Sequence, residues 1–161
     1  MKFKKQAPVI HFAIIMILIA IANTAVAEMK TEDAIKFRQS GMMFMRWNMG
    51  KIKSAVNGNP QAFDKDKVIN AANVIAAIAN SNLGSLFNEK SKTGKGWKET
   101  RVKADYFQQP QEVGKYAKAF NTEANKLAQV AKTGSIGDIK TQFDTLFSAC
   151  KDCHKKYRSK D

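Results

Sequence analysis

The chain has 161 residues, with 27 Lys and Arg against 14 Asp and Glu, so its formal net charge is +13 at pH 7. It contains no internal repeat and no low-complexity segment, which excludes repeat architectures. Nucleic acid would be the usual partner of so basic a chain, but the amino-terminal segment argues against that partner.

Residues 1–27 have the features of a secretory signal. Three lysines within the first five residues precede an unbroken apolar run from Phe12 to Ala22, and Ala25-Val26-Ala27 follows as a cleavage site. An uncleaved membrane anchor is the alternative, but the apolar run is too short to span a bilayer comfortably. We therefore expect an exported, periplasmic protein that begins at Glu28, has no stable membrane insertion and meets no nucleic acid.

Removal of 27 of the 161 residues leaves a chain, 28–161, whose length suggests one domain. The three lysines take the formal charge from +13 to +10. Such a surface favours acidic partners or anionic membrane, or it serves solubility alone.

Four amphipathic helices are predicted in chain order, because apolar residues recur at steps of three and four. The first runs from Thr31 to the Asn57-Gly58-Asn59-Pro60 terminator, and the second begins near Asp64. The third opens at Pro110, and the fourth starts around Gly137-Asp138 and continues to Tyr157. Together they predict an all-α, antiparallel, up-down-up-down four-helix bundle, in which cofactor sites form between facing helices.

The connection between the second and third helices, about Asn88 to Gln109, has no periodicity. A connection this long in a compact domain usually has a function or contains local structure of its own. Trp97, Tyr106 and Phe107 are the side chains expected to tether it.

The fourth helix carries the C-x-x-C-H motif, Cys150-Lys151-Asp152-Cys153-His154. This spacing is typical of covalent haem c, with the two thiols joined to the porphyrin and the adjacent imidazole on the iron. A zinc site would need a fourth soft ligand, and none exists outside the signal, where His11 lies. A thioredoxin-like dithiol would need strands, and none is predicted. We expect one haem c per chain, bound through Cys150 and Cys153 with His154 as axial iron ligand.

The sequence from 29 to 160 resembles the cytochrome c-prime family. The resemblance rests on 34–40 (Ala-Ile-Lys-Phe-Arg-Gln-Ser), Ala119-Phe120 and above all 149–158 (Ala-Cys-Lys-Asp-Cys-His-Lys-Lys-Tyr-Arg). The connection departs from the family pattern, because it has no tryptophan near Tyr106 and Phe107.

The resemblance implies that Met42 lies over the distal face of the iron. Met42 either coordinates through sulfur, giving a low-spin electron carrier, or packs as an apolar lid over a five-coordinate, high-spin iron, which we favour. Arg38 lies on the buried stripe and needs a partner, which a haem propionate would supply unless the side chain extends to solvent. The remaining expected pocket residues are Gln39, Met45, Phe63, Leu83, Phe87, Phe120 and, beside the proximal face, Arg158.

The function implied is binding of nitric oxide and carbon monoxide together with electron transfer. An apolar distal pocket disfavours dioxygen, because bound dioxygen relies on a hydrogen-bond donor. We expect redox partner proteins and, from the family, a homodimer. We do not expect an enzyme, although weak peroxidase or nitric oxide reductase activity stays open as an alternative.

Overall fold

The computed structural model of the chain describes residues 29–160. The predicted signal, 1–27, lies outside these residues. Within 29–160, no helix is both long enough and apolar enough to cross a membrane.

Four long helices make up most of the described chain, as predicted: α1 Thr31–Asn57, α2 Lys65–Ala79, α3 Pro110–Thr133 and α4 Ile136–Tyr157. The Asp64 carboxylate caps α2 by accepting from the backbone N–H of Lys67. A capping box begins α4: the Ser135 hydroxyl accepts from the backbone N–H of Asp138, and the Asp138 carboxylate accepts from that of Ser135. The sequence had placed this start one or two residues late.

Each helix packs against two neighbours, so that α1 contacts α2 and α4, and α3 contacts the same two helices. The connections α1–α2 and α3–α4 are short, which makes successive helices antiparallel. This arrangement is the predicted up-down-up-down bundle. Small residues on α2 and α3 allow close approach around larger aliphatic side chains; the core includes Ile52, Ala71, Ala72, Ile75, Ala124, Leu127, Ala131, Ile139 and Leu146.

The C-x-x-C-H motif lies at the end of the bundle where α4 and α2 finish and α1 and α3 begin. Phe63 lies at the other end, beside the cap of α2, where Lys65 Nζ contacts the Gly134 carbonyl. The 15 residues of α2 separate the two ends by about 22 Å at 1.5 Å per residue. The expected place of Phe63 in the haem pocket is therefore wrong.

The connection between α2 and α3 contains local structure, as its length had suggested. It comprises 3-10 turns at Leu83–Leu86 and Glu89–Lys92 and a short helix at Asp105–Gln108. An isolated antiparallel bridge joins Val102 to Arg158, directly after α4. The connection thus folds back over the end of the bundle that bears the motif.

Candidate haem site

The thiols of Cys150 and Cys153 lie one turn apart on α4, half-buried and not joined in a disulfide. Burial raises the pKa of Cys150 to about 11, and burial also raises the pKa of Cys153. Both are therefore protonated thiols at neutral pH. Burial lowers the pKa of His154, and the positive charges of Arg158 and Arg101 lower it further. The imidazole is neutral, the form that binds a metal through a ring nitrogen.

Two short backbone segments meet on the His154 side of the site. The N–H of Lys103 donates to the Tyr157 carbonyl and the N–H of Ser159 donates to the Arg101 carbonyl, each at 2.9 Å. This pairing extends from the end of α4, with Val102 opposite Arg158 and Arg101 opposite Ser159. Two guanidinium groups thus influence His154, where the sequence had suggested only one.

Arg38 is buried, with 3% of its surface exposed, so the alternative in which it extends to solvent is wrong. Its Nη1 donates to Leu86 O (3.1 Å) and Ser91 Oγ (2.7 Å), and its Nη2 donates to Ser91 O (2.8 Å) and Thr100 Oγ1 (2.6 Å). The guanidinium also stacks on the Phe87 ring at 4.7 Å. All four acceptors are uncharged, so these contacts supply hydrogen bonds without a counter-charge.

Gln39, next in the chain, is also bound to the connection. Its Nε2 donates to Lys98 O, and its Oε1 accepts from the backbone N–H groups of Trp97 and Lys98. Gly96 lies so close to α1 that an added Cβ would be 2.7 Å from the backbone nitrogen of Lys36. Glycine is therefore required at this approach.

The other expected pocket residues lie at different depths. Met42 is 36% exposed on α1, and Leu83 is half-buried near Gly41, 3.3 Å from the position that a Cβ on this glycine would occupy. Met45 is buried in the main core, and Phe120 packs against that core from α3. Phe87 stacks on Tyr106 with ring centroids 4.8 Å apart.

A family model described as Cytochrome C' matches residues 33–158. The chain belongs to the cytochrome c' family. Its cofactor is covalently attached haem c, and it is a haem protein of electron transfer and gas binding in a family that is not classed as enzymes.

Several members of the cytochrome c' family are closely similar. The Rhodocyclus tenuis protein is 49% identical over 132 residues, covering 82% of this chain and 98% of that protein. The Allochromatium vinosum protein is 44% identical over 146 residues, covering 90% and 93%. A solved cytochrome c' with ligand-controlled dimer dissociation is 46% identical, with a TM-score of 0.78, covering 83% of this chain and all of that one. The Thermochromatium tepidum structure is 43% identical, also at 0.78, with the same coverage.

The residues present fit the haem of a cytochrome c'. Within 29–160, no three His, Cys, Asp or Glu side chains converge to hold a bare metal ion. Cys150, Cys153 and His154 lie together on α4 and offer two free thiols for the two vinyl positions and a neutral imidazole for iron. Arg38 adds a buried positive charge, for which a propionate is a suitable counter-charge.

Sequence reasoning missed several residues that shape this cytochrome c' site. Ser91, fully buried, and Thr100 hold Arg38, and Arg101 contributes charge beside His154. All three lie in the aperiodic connection, which carries no pattern linking them to α1 or α4. Burial and the nearby Cys153 raise the pKa of Tyr106 to about 12, a sign that this tether lies beside the motif.

Proposed function

We propose that this cytochrome c' works in the periplasm, after removal of residues 1–27, as a binder of nitric oxide and carbon monoxide that also transfers electrons. In this proposal Cys150 and Cys153 form the thioether bonds, and His154 binds the iron on one side. The other side stays open beneath an apolar lid formed by Met42. The bound haem supplies an iron atom that takes a diatomic ligand and changes oxidation state.

The observation that carries this proposal is the absence of a second nitrogen ligand. His154 is the only histidine in 28–161, and its neutral imidazole lies beside the two thiols. Two apolar side chains of the expected pocket contact the same stretch of α1 as Met42: Leu83 lies against Gly41, and Phe87 stacks on the Arg38 guanidinium. Such a surface donates no hydrogen bond, so it disfavours dioxygen and accepts nitric oxide and carbon monoxide, which need no donor.

Arg38 contributes to the same site by its charge. Its hydrogen bonds go to neutral oxygens, so a propionate nearby would reduce the electrostatic cost of the buried guanidinium. Arg101 and Arg158 would disfavour positive charge at the iron from the His154 side. The effect of Arg101 and Arg158 favours the ferrous state, which binds carbon monoxide and nitric oxide.

The association rate of carbon monoxide with the ferrous holoprotein, followed by rapid mixing, tests the lid. Met42→Ala should increase the association rate, because it removes side-chain atoms from the entrance. Met29→Ala is the control, since Met29 lies before α1 and is 46% exposed, and its rate should equal that of the unmodified protein. Equal rates in both variants would contradict the assignment of Met42 to the distal face.

A low-spin electron carrier with Met42 as sixth ligand is the second candidate. It is favoured by the position of Met42 at the haem end of α1 and by the adaptable thioether of methionine. In that case Met42→Ala would convert low-spin spectra to high-spin spectra. The lid proposal predicts high-spin spectra before and after the substitution.

A homodimer is proposed through the outer face of α1. This face exposes Phe37, Met43, Phe44 and Trp47, with Trp47 57% exposed. Met43, Phe44 and Trp47 line a shallow cavity together with Ser40, and Phe37 lies one turn before Ser40 on the same side of the helix. A contiguous apolar surface of this kind marks an interaction site. The 46% identical cytochrome c' that dissociates under ligand control supports a second copy as the partner.

Sedimentation analysis tests the dimer. Phe44→Lys should yield monomers, whereas the same change at exposed Gln111 of α3 should leave the dimer intact. Unchanged sedimentation of Phe44→Lys would exclude this face.

A second surface suits redox partner proteins. Near the haem motif, the exposed side chains of Lys151, Lys155 and Lys160 form a basic rim that would bind an acidic partner. Lys156 is paired with Glu112 and is not part of this rim.

A further inference from the structure

All three tyrosines of the chain lie in one line of ring contacts at the haem end of the bundle. Tyr106 meets Tyr157 edge-on with ring centroids 5.7 Å apart, and Tyr157 meets Tyr116 edge-on at 5.8 Å. These separations are within the range of direct aromatic contact. Tyr106 begins the line on the connection, whose Val102 pairs with Arg158 directly after the motif helix α4. Tyr116 ends it at half-exposed surface on α3.

The middle ring has a proton acceptor close by. Tyr157 is buried, and its hydroxyl donates to Gln109 Oε1 at 3.0 Å. Glu112 is paired with Lys156, whose Nζ lies 5.5 Å from the centroid of the Tyr157 ring, so the carboxylate lies next to this tyrosine. Lys156 holds the pKa of Glu112 below its usual value. Glu112 is therefore an ionised carboxylate, able to take a proton from an oxidised phenol.

We propose that Tyr106, Tyr157 and Tyr116 form a relay that carries oxidising equivalents from the haem to the protein surface when the protein meets hydrogen peroxide. The relay rests on the proposed function, because an open distal face lets peroxide reach the iron. Hydrogen peroxide bound there would be reduced to two waters by two electrons from the protein and two protons from solvent, so the relay would run twice for each peroxide. The relay would transfer the oxidising equivalents from the haem to the protein surface.

Each transfer moves one electron and one proton. Tyr157 gives its electron to the oxidised haem through Tyr106, and its phenolic proton passes to Glu112. Tyr116 then returns an electron to Tyr157, which recovers its proton from Glu112, while Tyr116 releases its own proton to solvent. A soluble phenol, the one-electron reductant, restores Tyr116 by giving up one electron and one proton.

The other side chains that the haem or peroxide could oxidise lie on α1 or against it. Trp97 Nε1 donates to Ser40 Oγ at 2.8 Å, and Trp47 is exposed on the outer face of α1. Met42, at the expected distal position, would become a sulfoxide if peroxide attacked it directly. None of these residues belongs to the ring contacts of the three tyrosines.

The test treats ferric holoprotein with one equivalent of hydrogen peroxide in the presence of the spin trap 2-methyl-2-nitrosopropane, and maps adducts by peptide mass spectrometry. The expected adduct is on Tyr116. Tyr157→Phe keeps the ring but removes the phenol, so the Tyr116 adduct should be lost. Tyr116→Phe should move the adduct to Tyr157 or Tyr106. Trp97→Phe, the matched control at a competing oxidisable ring, should leave the Tyr116 adduct unchanged.

An adduct confined to Trp97, sulfoxide at Met42 without tyrosine adduct, or equal Tyr116 labelling in Tyr157→Phe would overturn the relay. Nitric oxide binding to the ferrous form of each variant separates this outcome from failure of the proposed function. Normal nitric oxide binding without tyrosine adducts refutes the relay alone. Loss of both reactions in the unmodified protein refutes the open distal face and the relay with it.

Discussion

Arg38→Met is expected to destabilise the protein strongly, although Arg38 is not a core hydrophobe. Methionine keeps the length of the unbranched stem and fills similar space, so the change isolates the guanidinium. Four hydrogen bonds to Leu86, Ser91 and Thr100 are removed. These bonds fasten the connection between α2 and α3 to α1.

The size of the effect follows from which acceptors keep other partners. Ser91 Oγ still donates to Asn88 O at 2.8 Å, and Thr100 Oγ1 still accepts from the Val102 N–H at 3.4 Å. Counting only the bonds to Leu86 O and Ser91 O in full, at about 1.5–3 kcal/mol each for a charged donor, gives about 3–6 kcal/mol. Because the methionine side chain carries no charge that must be removed from water, part of this loss is offset, which leaves about 3 kcal/mol.

Urea unfolding of the holoprotein, with hydrogen exchange as a local probe, measures this loss. Arg38→Met should lower the free energy of unfolding by about 3 kcal/mol and reduce amide protection in residues 88–101. Arg46→Met is the matched control on the same helix, because Arg46 is exposed, and it should change stability by less than about 0.5 kcal/mol. Equal stability of the two variants would show that the hydrogen bonds of Arg38 do not hold the connection.

Three further outcomes are expected. Gly96→Ala should lower the urea midpoint, since the new Cβ would lie 2.7 Å from the α1 backbone. Gly114→Ala, with open space around it, should raise stability by roughly 0.5–1 kcal/mol through helix propensity. Equal midpoints in the two variants would contradict the close approach of Gly96 to α1. Ser135→Ala should cost about 1 kcal/mol in thermal unfolding. Hydrogen bonds with Ser135 lower the pKa of Asp138 from 3.8. The stabilisation from Asp138 should therefore be complete above pH 3.8 and lost as the pH falls through the folded pKa. A cost of Ser135→Ala that stays constant down to about pH 2 would refute the capping box. Cys153→Ser should keep haem by a single thioether bond and shift the pyridine haemochrome band to longer wavelength; an unshifted band would contradict attachment at Cys153.

The helices could be predicted from sequence because their signals are local. The three-and-four spacing on α1, the Asp64 cap and Pro110 at the start of α3 all act within a turn or two of the chain. The motif on α4 was likewise readable, since its spacing is fixed by the chemistry of haem attachment.

The surroundings of the motif could not be predicted, because they depend on contacts between distant parts of the chain. Arg38 and Ser91 are 53 residues apart, and nothing in the aperiodic connection indicates that its oxygens face α1. Phe63 was misplaced for the same reason. Its apolar ring suits a haem pocket in composition, but helix length puts it at the opposite end of the bundle.

The most direct test of the central claim is the optical and electron paramagnetic resonance spectrum of the purified holoprotein, ferric and ferrous, before and after nitric oxide. The account predicts covalently bound haem, a high-spin ferrous state with a broad Soret band, and a clear spectral change when nitric oxide binds. Sharp low-spin bands that do not respond to nitric oxide would contradict it and make Met42 the sixth ligand.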